Sequence, residues 1–105
     1  ELNHYVVEGT TFELKSATGK VLLAYTEDNL ELKNQIDKKG YIFTTGERLD
    51  NIASVAVPVF ARRDNFKGTI SVSGWKQFFT NKSVPKYYKI LSSYHNKLKE
   101  LLSNE

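Results

Sequence analysis

Thr69, Ser71 and Ser73 recur at every second position of the stretch Phe66 to Ser73. At period two they share one face of a β-strand, where neutral hydroxyls can both donate and accept hydrogen bonds. Such a row suits recognition of a polar small molecule, and it suits equally the solvated face of an edge strand. A second candidate lies near Ser16, which can cap a helix carrying Ala17, Val21 and Ala24 on one side. Backbone amides in the first turn of that helix, around Ser16, Ala17 and Thr18, can hold a carboxylate. Ser71 and Ser73 can hydrogen-bond it from the sheet, with Leu22, Ile42 and Trp75 as apolar walls that exclude water.

These groups need elements to position them. From Ile52 to Phe60 nearly every residue is small, β-branched or aromatic, which predicts a central strand covered on both faces: Ile52, Ala56, Pro58 and Phe60 on one, Ala53, Val55, Val57 and Val59 on the other. Pro58 has no amide to donate, so it belongs at a bulge or where a neighbouring strand has ended. Ala61 to Asn65 (ARRDN) reads as a hairpin turn in which the Asp-Asn pair tolerates turn geometry. The partner strand then alternates, with Phe66, Gly68, Ile70 and Val72 on one face and Lys67, Thr69, Ser71 and Ser73 on the other.

Before the hairpin, Tyr5-Val6-Val7 reads as a short strand and Phe12 and Leu14 as extended residues. A helix follows Ser16. Asp28, with Glu31 three residues on, is the expected cap of a second helix bearing Leu32 and Ile36 and closing at Lys38-Lys39-Gly40. Tyr41 to Phe43 reads as a strand and Thr44 to Arg48 as a loop. The tail predicts a helix capped at Ser83, with Pro85 in its first turn and an apolar stripe Tyr87, Leu91, Tyr94, Leu98, Leu101 that packs on the sheet or on a second copy.

Composition narrows the function classes. A chain of 105 residues supports one domain, and 15 Lys+Arg against 12 Asp+Glu give a net charge of only +3, spread too thinly to argue for nucleic acid. There is no cysteine, hence no disulfide, thiol nucleophile or Cys-based metal site, and the two histidines, His4 and His95, stand far apart. No metal and no cofactor is expected. No run nears the ~18 apolar residues of a membrane span, and no signal peptide opens the chain, so a cytoplasmic location without membrane contact is expected. Methionine is absent even at position 1, which points to a piece of a longer polypeptide. Around Gly19-Lys20 a phosphate loop would need glycine where Leu14 stands and Ser or Thr where Val21 stands. No nucleophile elbow or paired carboxylates are evident, so the chain is not expected to be an enzyme.

Three stretches then carry a family resemblance in order: GTTFELKSATGKVLLAY (Gly9 to Tyr25), GYIFTTGERLDNIASVAVPVF (Gly40 to Phe60) and GTISVSG (Gly68 to Gly74). Together they are similar to the C-terminal effector-binding domain of IclR-type transcriptional regulators. The resemblance implies an α+β, GAF-like fold, an antiparallel sheet flanked by helices, with residues 1–105 forming a single, partial or shortened effector-binding domain that lacks the N-terminal winged helix-turn-helix. It implies that a small organic acid is sensed and that a homodimer or tetramer holds DNA only through the missing N-terminal domain. By motif matching the ligand positions fall on Ser71 and Ser73, and also on Ala17, Thr18, Thr44 and Ser54, beside Ser16. The sequence departs from the family in three places: only Thr26 to Lys39 separates the first helix from Gly40, Thr44 and Thr45 stand where an acidic loop is usual, leaving Glu47 as the matching carboxylate, and Trp75 replaces a proline at the pocket mouth. A shortened domain of this kind has an alternative role, a ligand-free oligomerisation scaffold, in which Trp75 or Phe78 fills the pocket.

Overall fold

The computed structural model describes residues 16–46 and 50–103. The expected strand at Tyr5 to Val7, the extended residues Phe12 and Leu14, His4 and Glu47 lie outside the described residues. Three helices, α1 (Ala17–Thr26), α2 (Leu30–Lys39) and α3 (Ser83–Ser103), accompany an antiparallel sheet of β1 (Ile42–Thr45), β2 (Ile52–Ala61) and β3 (Asn65–Trp75), ordered β1-β2-β3. The architecture is α+β, as the sequence predicts.

β2 is the central strand because its side chains are apolar on both sides. Ala53, Val55 and Val57 look toward α3 and join Val72, Phe79, Val84 and Leu91 in one core. Ala56 looks the other way, toward α1 and α2, and joins Ala17, Val21, Ala24, Ile36 and Ile42 in a second. Pro58 is accommodated because β1 has already ended, its last pairing being Ile42 with Ala56.

The pairing of β2 with β3 slips between Val59 and Phe60. Val59 pairs with Gly68 but Phe60 with Phe66, leaving Lys67 as an extra residue, a β-bulge. The simple alternation expected from Phe66 to Ser73 therefore breaks. Gly68, Ile70 and Val72 share the α3 side, whereas Phe66 turns to the α1 side and stacks on Tyr25 at 4.9 Å. The left-handed residues of the hairpin turn are Arg63 (φ 63°) and Asp64 (φ 56°) rather than an Asp-Asn pair, since Asn65 is already extended.

Ser16 caps α1 as expected, its hydroxyl accepting from the Gly19 amide at 2.9 Å. In α2 the cap falls one residue later than Asp28. Asn29 Oδ1 accepts from the Leu32 amide at 3.1 Å, while Asp28 binds Lys33 Nζ at 2.6 Å. That bond, and then the charge of Lys33, hold the Asp28 carboxyl below its ordinary pKa. Gly40 ends the helix with φ 90°, and a Cβ there would collide with the Tyr88 side chain, so both backbone and packing require glycine.

Two further boundaries differ from expectation. Thr44 and Thr45 belong to β1, not to a loop, because they pair with Ser54 and Ala53. α3 begins at Ser83 itself: Thr80 Oγ1 accepts from the Ser83 amide at 3.1 Å, and the Ser83 hydroxyl donates back to the Phe78 carbonyl at 2.7 Å. Of its apolar stripe, Tyr87 and Leu91 pack on the sheet, but Tyr94 and Leu101 are exposed together with Ile90. Among the described residues no helix is long and apolar enough to cross a membrane.

Candidate functional site: a hydroxyl-bearing sheet face beside α1

The strand register brings the predicted sheet residues together. Thr44 pairs with Ser54 and Ser54 with Ser73, so three hydroxyls from three strands form one row. The next row along is Ile42, Ala56, Ser71. Directly paired residues share a face, and Ile42 and Ala56 pack with α1, so Thr44, Ser54, Ser71 and Ser73 all look toward that helix. Thr44 is buried, and Ser54, Ser71 and Ser73 are half-buried.

α1 is oriented by its last turn. Tyr25 stacks on Phe66 and meets Phe60 edge-on at 5.2 Å, so the helix points its C-terminus at the hairpin end and its N-terminus back toward the Ser54–Ser73 end. Ser16 is buried, and its hydroxyl already occupies the Gly19 amide. The amides of Ala17 and Thr18 remain as the first-turn donors, and no acidic residue stands in that turn to compete for them. Among the described residues no buried side-chain nitrogen or oxygen lacks a partner. Helix-end amides and sheet hydroxyls are both groups that can hydrogen-bond an anion.

The apolar walls are less complete than expected. Ile42 is buried on this face and Leu22 of α1 is half-buried, but Trp75 is 54% exposed and Phe78 43% exposed. By register Trp75 pairs with Ile52 and stands on the same face as Ser73. Two depressions open elsewhere. One, of about 530 Å³, lies against Trp75 with Asn51, Lys76, Gln77 and Thr80. The other, of about 670 Å³, lies at the hairpin end and includes Tyr25, Phe60, Phe66 and His95. Sequence reasoning missed the second one, because its residues come from four segments with no common motif. In it burial, and then the charge of Asp37, push the Tyr25 hydroxyl up, while burial, and then Lys99, push His95 down. Among the described residues no His, Cys, Asp and Glu cluster could hold a metal ion.

The described residues thus form an α+β domain, a three-stranded antiparallel sheet accompanied by helices, with hydroxyls ranged along one face. Residues 27–99 match the family model described as bacterial transcriptional regulator IclR C-terminal, and the chain belongs to that family, one of transcriptional regulators and not of enzymes. It is the effector-binding, regulatory domain family of those proteins. Solved structures share the fold. An IclR transcriptional regulator from Alicyclobacillus acidocaldarius superposes with a TM-score of 0.72 at 19% identity, over 96% of this chain and 53% of that one. The C-terminal domain of E. coli KdgR gives 0.72 at 23% identity, over 85% and 70%. The inducer-binding domain of Acinetobacter PobR, a double mutant in complex with 3-hydroxybenzoic acid, gives 0.69 at 18%, over 83% and 65%. The chain thus spans about half the length of the first of these regulators. No protein of curated function matches the sequence.

Proposed function

We propose that this domain senses a small carboxylate-bearing metabolite and helps a transcriptional regulator to self-associate. The observation that carries the reading is the row Thr44–Ser54–Ser73, with Ser71 beside it, facing a helix whose first-turn amides, those of Ala17 and Thr18 among them, have no acidic residue in that turn. In this reading the acid's carboxylate meets those amides, Ser71 and Ser73 hydrogen-bond it from the sheet, and Ile42 and Leu22 cover its apolar part. That PobR's inducer-binding domain holds an aromatic acid makes such acids the first to try. DNA is contacted by a part of the regulator other than these residues, and the exposed Ile90, Tyr94 and Leu101 of α3 supply the apolar surface for association.

A thermal-shift panel of keto, aliphatic and aromatic acids tests this. An acid at about 100 times its dissociation constant stabilises the domain by roughly 2.7 kcal/mol, worth several degrees or more at this size. The shift is expected to disappear in the Ser71→Ala, Ser73→Ala double variant. A panel that moves neither protein, while the wild type melts cooperatively and self-associates, would replace the sensor with a ligand-free scaffold.

A further inference from the structure

The depression of about 670 Å³ at the hairpin end has the size of a small-molecule site and lies at the opposite end of α1 from the serine row. Its wall is aromatic: Tyr25 and Phe66 stack with 20° between their planes, and Phe60 meets both rings edge-on. The face of Tyr25 already attracts positive charge, since Lys33 Nζ lies 5.7 Å from the ring centroid. Lys33, however, is engaged by Asp28. Two other carboxylates line the depression, Asp37 from α2 and Asp64 from the hairpin turn, and neither has an ion-pair or hydrogen-bond partner among the described residues. His95, neutral while its Nε2 accepts from the Phe60 amide, adds no positive charge there. Two carboxylates without a partner among the described residues thus line the same depression as three half-buried aromatic rings, with Lys33 also in its wall.

We propose that this groove binds an organic monocation with a flat apolar body, its ring against Tyr25, Phe60 and Phe66 and its ammonium or amidinium group held by Asp37 and Asp64. A carboxylate and an aromatic face attract the same charge, and the ring body displaces water from apolar surface. The site is independent of the acid-sensing reading, sharing with it only the helix that runs between the two.

Phenethylammonium, 3-phenylpropionate and 2-phenylethanol, equal in ring and similar in length, separate charge from shape. Each is titrated into the 105-residue chain while its amide resonances are followed by ¹H–¹⁵N correlation spectra. Phenethylammonium is expected to move the amides of Phe60, Phe66, Ser92 and His95, and to bind about tenfold more tightly than either analogue. The Asp37→Asn, Asp64→Asn double variant loses that preference while keeping a wild-type spectrum elsewhere, since asparagine tolerates the left-handed turn position. Absence of groove perturbations, equal affinity for the three probes, or a preference that survives in the double variant would each overturn the proposal.

Discussion

At the bulge the Phe60 amide donates to His95 Nε2 at 3.3 Å, so a histidine on α3 fastens the helix to the irregular part of the sheet. An accepting Nε2 places the proton of the neutral ring on Nδ1, and protonating Nε2 removes the acceptor. Burial, followed by Lys99, lowers the folded-state pKa of His95 below its ordinary value. The unfolded chain therefore binds the proton more readily. The contribution of His95 is complete above its unfolded pKa and is lost as pH falls through the lower, folded one. Urea unfolding between pH 8 and 5 is expected to show wild-type stability dropping toward acid, and His95→Gln a shallower dependence over the same range, with His4 common to both. Parallel profiles for the two proteins would remove His95 from the account. At neutral pH, where the bond is intact but long, the same substitution costs about 0.5 kcal/mol.

Among the elements, α2 shows what local sequence can and cannot decide. Asp28 and Asn29 are both good caps by type, and the helix uses Asn29 because Asp28 takes a left-handed conformation (φ 52°) and pairs with Lys33. Asn29→Ala is expected to cost roughly 1 kcal/mol in thermal melts, whereas Asp28→Asn, which keeps the turn and removes an exposed ion pair with Lys33, leaves the melting temperature near that of the wild type. Reversed effects would restore Asp28 as the cap. The central strand, the Ser16 cap, the glycine stop at Gly40 and the course of α3 were all legible, because each depends on residues within a turn or a strand of one another. Thr44 and Thr45 were not legible as strand, since only pairing with Ser54 and Ala53 extends β1 that far. The bulge was hidden for the same reason: nothing in the order Phe66, Lys67, Gly68 says which residue the partner strand will skip. Of the serine row, Ser71 and Ser73 declare themselves by spacing, while Ser54 and Thr44 are suggested by the family motif alone and are brought beside them by register. The aromatic groove joins Tyr25 of α1 to His95 of α3, and Phe60 and His95 alone are 35 residues apart, beyond the reach of any local pattern.

For the molecule as a whole, stability rests on two apolar layers that share one sheet. Leu91, 1% exposed, is among the largest fully buried side chains of the α3 layer, whereas Leu101 on the same helix is 66% exposed. Leu91→Ala is expected to cost 2–5 kcal/mol by the usual cavity penalty, a large share of the ~5–15 kcal/mol available to a small domain. Leu101→Ala stays within ~0.5 kcal/mol in dilute solution. Equal losses, read from urea midpoints, would mean that the outer end of α3 is buried in solution by a second chain. β2 itself is the party wall between the two layers, and it is built thin: Ala53 faces one side and Ala56 the other, both fully buried. Where Ala53 and Ala56 stand, the wall has only methyl groups to absorb a push, so an object pressed against Ala56 bears on the backbone itself.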